Sequence, residues 1–390
     1  MKEINTDVLI IGSGLVGLVA AHSLSTLKYK VTLVDKKNFS NSKKNFNDTR
    51  TVAVSEGSKR FLEDLSLWNF LKNHSEPIKT IKVFDRSYKN KILFNNENKN
   101  KKLGYVIENI KFSQILKNQL LKFKKTKLLF GQSIKKIQLE EEITKAYTKN
   151  YVIKSKLIIA ADGKNSEIKK MAGNNTFKKI YPDDALVLNI THEKNLNGTA
   201  YEIFFNTGPL AILPMQSKKN FCKSTIIWSN KKNYLKKLND VSDKFFENFI
   251  EEKIGSIVGV VKKINSKQIF PLSAHINESF INKRLIYIGD AAHSIHPIAG
   301  QGWNLGVNDV RNLYKTAKSL QYDIGSDAFC SNYNNLSYNK AFQLYQITDK
   351  INAHFKNEIN LYRFLSNAGF NIIENTPLLK NKITNYAMGI

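Results

Sequence analysis

The sequence predicts an α/β (α+β) protein: a Rossmann-like nucleotide-binding lobe built from separated segments, interleaved with a sheet-rich lobe and completed by a helical C-terminal tail. Three observations carry that prediction. An apolar run at 7–11 passes through Gly12-Ser-Gly14-Leu-Val-Gly17 into a helix-spaced segment and then a second apolar run. Short strand-like runs dominate from Tyr181 to Phe270. Beyond Gly306 the apolar spacing is helical to the C-terminus.

Taken in order, Asp7 to Ile11 reads as a buried strand, Leu15 to Leu27 as a helix, and Val31 to Val34 as a second strand. Lys36 to Asn47 is polar and without periodicity, hence a loop. Strand signals recur at Thr80 to Phe84 and Ile92 to Phe94, a helix at Ile110 to Phe123, and a buried strand at Lys156 to Ala161. Ala185 to Ile190, Ala200 to Phe205, Ala211 to Pro214 and Ser224 to Trp228 supply the sheet-rich lobe, with a helix at Asp243 to Ile254. Val310, Leu313, Tyr314 and Ala317 share one helical face, and so do Phe355, Ile359 and Tyr362. The expected division is 1–75, 100–175 and 280–320 for the nucleotide lobe, 76–99 and 176–279 for the sheet-rich lobe, and 321–390 for the tail.

Composition narrows the function. A chain of 390 residues, 42% hydrophobic, can bury a large core. No apolar run has the roughly 20 residues of a membrane span, and Val8 to Leu24 is interrupted by Gly12, Ser13, Gly14 and Gly17. Met1-Lys-Glu-Ile-Asn has no apolar signal core, so a cytoplasmic protein is expected. Cys222 and Cys330 stand far apart without CxxC spacing, which gives neither a disulfide framework nor a zinc site. The net charge of +27 comes from Lys dispersed among Asn, as at 36–47 and 89–102, and no basic helix carries interleaved aromatics. Nucleic acid is therefore not an expected partner, whereas peripheral attraction to an anionic inner-membrane surface is compatible with the charge.

Three motifs carry chemistry. In the first, Gly12 permits a tight turn, Gly14 lets a pyrophosphate approach the backbone, and Gly17 lets helix and strand pack closely. Asp35 ends the next strand, where a carboxylate bonds ribose hydroxyls. The motif does not separate NAD from FAD. In the second, the strand from Lys156 ends in Asp162-Gly163, followed by Ser166 at a helix start. In the third, an apolar strand runs into Gly289-Asp290 and then a loop with Gly300, Gly302 and Asn304. Asp290 can bond a ribityl hydroxyl, and N–H groups from Gly300 to Asn304 can face the O2 and N1 edge of a flavin.

Together these residues resemble the FAD-dependent aromatic hydroxylases, the single-component group related to para-hydroxybenzoate hydroxylase. Finer segments resemble its ubiquinone-biosynthesis members: Asp48 to Ser55, Gly104 to Asn109, Gly208 to Pro214, Ala291 to Gly302, and the closing Tyr386-Ala-Met-Gly389. The resemblance implies an FAD site lined by Arg50 and Asn109, with Asp290 on the ribityl chain and Pro297 on the loop facing the reactive edge. It implies NAD(P)H as a transient reductant, in keeping with the absence of a second GxGxxG unit, and oxygen transfer from O2 through a flavin C4a-hydroperoxide. It also implies a prenylated aromatic substrate, and the helical tail is a candidate for association with pathway proteins or a membrane.

Trp303 departs from the aliphatic residue that the resemblance implies, and packing is the simpler reading for one aromatic. His293 and His296 lack a carboxylate cluster to complete a metal site, so no metal is expected and both read as loop hydrogen-bonding groups. Phe204, Leu210, Ile212 and Met215 are candidates to line a prenyl-tail channel. Another aromatic or isoprenoid compound is the alternative substrate.

Overall fold

The computed structural model describes residues 1–38, 48–85, 91–95, 102–218, 221–319, 323–356 and 360–390, and all counts below are of these. Most of the 36–47 loop, the charged stretches near 89–102, and Ile359 of the tail face lie outside the described residues.

In chain order, the elements begin with β1 (Lys2–Ile11), α1 (Leu15–Thr26), β2 (Val31–Asp35), β3 (Thr51–Ser55), α2 (Glu56–Asp64), α3 (Trp68–Leu71), β4 (Ser75–Ile78), β5 (Thr80–Asp85) and β6 (Lys91–Asn95). Next come β7 (Gly104–Glu108), α4 (Asn109–Leu120), β8 (Thr126–Phe130), β9 (Lys136–Leu139), β10 (Thr144–Tyr147), β11 (Tyr151–Ala160) and α5 (Glu167–Met171). The sheet-rich part holds β12 (Thr176–His192), β13 (Thr199–Phe205), β14 (Gly208–Lys218), β15 (Phe221–Lys231), α6 (Lys232–Asn239), α7 (Asp243–Val258) and β16 (Val261–Asn277). The chain ends with β17 (Ile281–Asn282), β18 (Leu285–Tyr287), β19 (His293–Ser294), α8 (Gln301–Lys318), α9 (Asp327–Lys356), α10 (Asn360–Asn375) and α11 (Pro377–Met388).

The first sheet runs β17-β18-β11-β1-β2-β8, with β18, β11, β1, β2 and β8 parallel. Parallel strands need both faces covered, which explains the unbroken apolar run Val8-Leu-Ile-Ile11 in β1. Val8, Leu9 and Ile10 are wholly buried with Leu18 and Leu24 of α1 and Phe112 of α4. Each fully buried side chain of that size contributes about 1.5–3 kcal/mol. The carboxyl ends of β1, β2, β11 and β18 open on one crevice, the place where open parallel sheets bind ligands.

The second sheet has eight strands in the order β19-β16-β12-β15-β14-β13-β5-β6. Its outer face, with Leu186, Leu188, Ile203, Leu210, Ile212 and Trp228, forms a separate core with Phe246 and Ile250 of α7. Only two residues of β19 join this sheet, and they follow directly on the turn after β18, so the Gly289–Ser294 segment physically joins the two lobes. A third sheet, β3-β7-β4, was not expected from the sequence. The architecture is thus mixed α/β with a helical C-terminus.

Candidate active site

The first glycine motif is sterically obligatory at two positions and open at the third. Gly12 has φ +108°, and a Cβ there would stand 2.3 Å from the Ala161 carbonyl oxygen. A Cβ on Gly17 would meet the Gly12 carbonyl oxygen at 2.1 Å. At Gly14 nothing lies within 4 Å of such an atom. Gly14 is also the N-cap of α1 without a side-chain cap, so the first N–H groups of that helix face open space. Such a cradle fits a diphosphate. Asp35, expected to bond ribose, has contacts within the protein: its Oδ2 accepts from the Ser13 backbone N–H (2.6 Å) and hydroxyl (2.7 Å), and Oδ1 accepts from Lys37 N–H (2.7 Å). It fastens the glycine loop, and one of its roughly four lone-pair positions is left over.

Asp290 follows Gly289, whose φ of +56° and N–H bond to Asp309 Oδ2 (2.8 Å) make the turn at the end of β18. Its side chain is accessible to solvent. Protein nevertheless surrounds it densely enough to raise its carboxyl above the ordinary range, against the pull of His293, Lys164 and Arg50. An accessible carboxylate within a protein interior faces a cleft.

The 48–50 turn forms one wall. Arg50 is held in a fork by Asp48, Nε to Oδ1 and Nη2 to Oδ2, both at 2.8 Å, and lies 5.5 Å over the ring of Phe270. Asn109 donates its amide N–H to Asp48 Oδ2 at 3.4 Å and its backbone N–H to the Arg50 carbonyl at 3.0 Å. Three polar atoms here, Asn109 Oδ1, Thr49 Oγ1 and Thr51 Oγ1, are buried without a partner among the described residues. Buried orphans at one turn point to a polar group that completes them.

In the second motif the open position is Gly163, with φ +86° and nothing within 4 Å of a would-be Cβ. Asp162 spends Oδ2 on the N–H groups of Glu167 (2.8 Å) and Ile168 (3.3 Å) at the start of α5, while Oδ1 stays buried and unpartnered. Lys164, half-buried and with its ammonium pulled down by that burial, interacts with Asp290. Sequence reasoning passed over Lys164, because a lone lysine in a lysine-rich chain carries no signal.

The third motif ends at the start of α8. Gly300, with φ +61°, is its N-cap, has no side-chain cap, and leaves the first-turn N–H groups free. Gly302 has nothing within 4 Å of a would-be Cβ. The Asn304 amide, by contrast, is fully used: Oδ1 accepts from Ser55 N–H and Ser58 hydroxyl (2.9 Å each), and Nδ2 donates to the Ala53 (2.9 Å) and Gly300 (3.2 Å) carbonyls. Asn304 can therefore face a cofactor only through its backbone, and its side chain ties α8 to β3. Pro297 is partly accessible on the approach to this helix. Trp303 packs against Phe112, ring centres 5.3 Å apart. The closing motif docks here as well, since Gln301 Nε2 donates to the Ala387 carbonyl at 3.0 Å.

His293 is buried and bonded to Asp309 through Nε2 at 2.7 Å. Both nitrogens of His296 are buried without partners among the described residues; its ring meets Tyr181 edge-on at 5.0 Å, and burial lowers it to about 4, so it is neutral at pH 7. No group of three potential metal ligands occurs among the described residues.

The inner face of the second sheet looks toward this cleft. Asn189 Nδ2 donates to the Thr49 carbonyl at 2.6 Å, and Phe270 lies under Arg50. In register with them are Val83, Ala211, Leu213, Ile227 and Gln268, all in central strands and all only partly buried. Of the four channel candidates, Phe204 and Met215 share this face. Leu210 and Ile212 do not: strand side chains alternate, and these two are wholly buried against the α6–α7 side.

Comparison with known proteins agrees with this geometry. The family described as FAD binding domain matches residues 5–335. A ubiquinone hydroxylase of Rhodospirillum rubrum is 27% identical over 387 residues, covering 98% of this chain and 89% of that protein. A 3-demethoxyubiquinol 3-hydroxylase of Escherichia coli is 26% identical, covering 99% of both chains. Among solved structures, p-nitrophenol 4-monooxygenase from Pseudomonas putida superposes with a TM-score of 0.80 at 15% identity, covering 100% of this chain and 99% of the other. That last likeness concerns the fold.

Proposed function

The chain belongs to the FAD-binding family and is an FAD-dependent monooxygenase, and from that premise we propose that it hydroxylates the aromatic ring of a polyprenylated ubiquinone precursor, using NAD(P)H and O2. The observation that carries the substrate is the near full-length match to two ubiquinone-pathway hydroxylases. The partly accessible apolar residues of the inner face support it, since a prenylated ring needs an apolar bed.

Bound FAD supplies the redox chemistry, accepting reducing equivalents and activating O2. The protein's own residues hold and orient. Gly14 and the uncapped start of α1 receive the diphosphate, and Asp35 the ribose. Asp290 accepts a ribityl hydroxyl proton in a hydrogen bond, and Asn109 and the threonines at 49 and 51 complete their bonding on the same ligand. The free N–H groups at the start of α8 would hold the polar edge of the bound ring and favour negative charge there, a preorganised electrostatic role. Pro297 borders the substrate side. A prenyl tail is drawn from a membrane, and the net charge of +27 suits transient residence at an anionic surface. No helix among the described residues is long and apolar enough to cross one.

The test is direct. Purified protein is expected to be yellow with bound FAD and to convert a short-chain prenylated phenol to a product heavier by one oxygen atom, with NADH or NADPH. Protein that stays colourless after reconstitution overturns the flavin site. Hydroxylation of unprenylated aromatics alone, with normal quinone in a deletion strain, overturns the substrate class.

A further inference from the structure

Among the inner-face residues one is out of keeping with an apolar bed. Glu202 sits on β13, paired with Ala211 on β14 and Val83 on β5. Continuing across the sheet, Ala211 pairs with Ile227, Ile227 with Val187, and Val187 with Gln268. Because side chains in register share a face, this row looks the same way as Asn189 and Phe270, toward the cofactor cleft. Glu202 is 9% exposed and has no hydrogen bond or ion pair among the described residues. Of the charged and titratable side chains on β5 and the end of α9, Asp85 is in register with Phe204 and so shares the face of Glu202, Asp349 is bonded to Lys179 and Tyr181, and His354 to Ser366. Lys82 lies over the Tyr201 ring, which is on the other face, and Lys356 is paired with Asp183.

A buried carboxyl without a partner is costly, and strands of a well-packed sheet do not retain one for packing. Val, Leu or Ile would fill the same position. We propose that Glu202 is the catalytic base that accepts the ring-hydroxyl proton of the aromatic substrate; this rests on the hydroxylase reading above. As the substrate O–H bond breaks, the Glu202 Oε–H bond forms. The electron pair left on oxygen spreads to the ortho and para carbons, which are the positions that an electrophilic oxygen attacks. The proton leaves to water when the product departs.

Burial moves Glu202 up to about 8 and is the only influence on it. That brings the base to within about 2 units of a phenol near 10, whereas an ordinary glutamate near 4.3 is a far weaker acceptor. Proton transfer then requires ionised Glu202, so its contribution grows as pH rises toward about 8.

The experiment compares wild type, Glu202→Gln and Glu202→Asp, all loaded with FAD, in binding a 2-prenylphenol and its methyl ether, followed by the flavin difference spectrum. Wild type is expected to prefer the phenol roughly tenfold or more, increasingly so toward pH 8. Glu202→Gln is expected to bind the ether normally, lose the preference and its pH dependence, and hydroxylate roughly 10²–10⁴-fold more slowly. Glu202→Asp, which keeps the charge, is expected to fall between them and covers the case of a Gln variant that does not fold. Phenol preference retained in both variants overturns the assignment and leaves the hydroxylase reading standing. A wild type that neither binds nor oxidises any prenylated phenol overturns both.

Discussion

Nε2 of His293 lies 2.7 Å from Oδ2 of Asp309, and that same oxygen accepts the Gly289 N–H at 2.8 Å. One wholly buried carboxylate on α8 therefore sets the turn that presents Asp290 and anchors the strand that enters the second sheet. Removing either partner leaves the other buried and uncompensated, which costs about 3–5 kcal/mol. Asp309→Asn is expected to lower Tm and flavin content together. The pair also has a pH signature. His293 is raised above its ordinary value: burial lowers it, and the charge and hydrogen bond of Asp309 together with the charge of Asp290 more than offset that. The folded state thus binds the proton more tightly than the unfolded one. Its stabilisation is complete below about 6.5 and is lost as pH rises through the folded value. Asp290 and Glu202, both raised, slope the same way, so the pair is isolated by the difference in Tm between wild type and His293→Gln across pH 6–9.

The glycines of the first motif are expected to separate folding from cofactor binding. At Gly17 an added methyl collides with the Gly12 carbonyl, so Gly17→Ala should unfold or strongly destabilise the lobe. At Gly14 there is space, and φ is −62°, so Gly14→Ala should leave Tm unchanged or higher by up to about 1 kcal/mol of stability. The same methyl stands in the open space where the proposed site receives the diphosphate. Thermal denaturation of the apoprotein beside FAD titration reads both, and a Gly14→Ala protein that binds FAD normally would remove Gly14 from the phosphate site.

Asp290→Asn is expected to keep the fold and weaken FAD by roughly ten- to a hundredfold, the size of one charge-assisted hydrogen bond. Because burial raises the Asp290 carboxyl, protonation begins at a higher pH than for an ordinary aspartate. Wild-type FAD affinity should therefore fall as pH is lowered through that range, and the Asn variant should lack this dependence. Equilibrium dialysis between pH 4 and 7 distinguishes the two.

What was legible in the sequence is what is decided locally. Gly12, Gly17 and Gly289 sit where backbone sterics admit little else, and their strand–turn–helix contexts lie within a few residues. The pairings that complete the site are not local: Ser13 meets Asp35 across 22 residues, His293 meets Asp309 across 16, and Asn304 meets Ser55 across 249. No spacing rule announces such contacts, so the sequence pointed to backbone N–H groups from Gly300 to Asn304 but gave no sign that the Asn304 side chain braces β3. The β3-β7-β4 sheet was missed for the same reason, since its strands come from 51–55, 75–78 and 104–108. Glu202 passed as one more residue in a strand-like run, because burial on a particular face is set by the register of the partner strands.

Alternation along β14 supplies the last expectation. Ala211 and Leu213 face the cleft and are only partly buried, whereas Leu210 and Ile212 are wholly buried in the core against α7. Truncating an outer-face residue opens a cavity: Leu210→Ala and Ile212→Ala should each cost about 2–5 kcal/mol and lower Tm, with little change in KM for whatever protein remains folded. Enlarging an inner-face residue fills space that the proposed function gives to the substrate. Ala211→Phe should leave Tm within a few degrees of wild type, yet raise KM for a prenylated phenol by more than tenfold. The rise should grow with prenyl length if the tail runs over β14. The two readouts therefore exchange places between adjacent residues of one strand. An Ala211→Phe enzyme with unchanged KM for every chain length would show that the prenyl tail leaves the ring by another route.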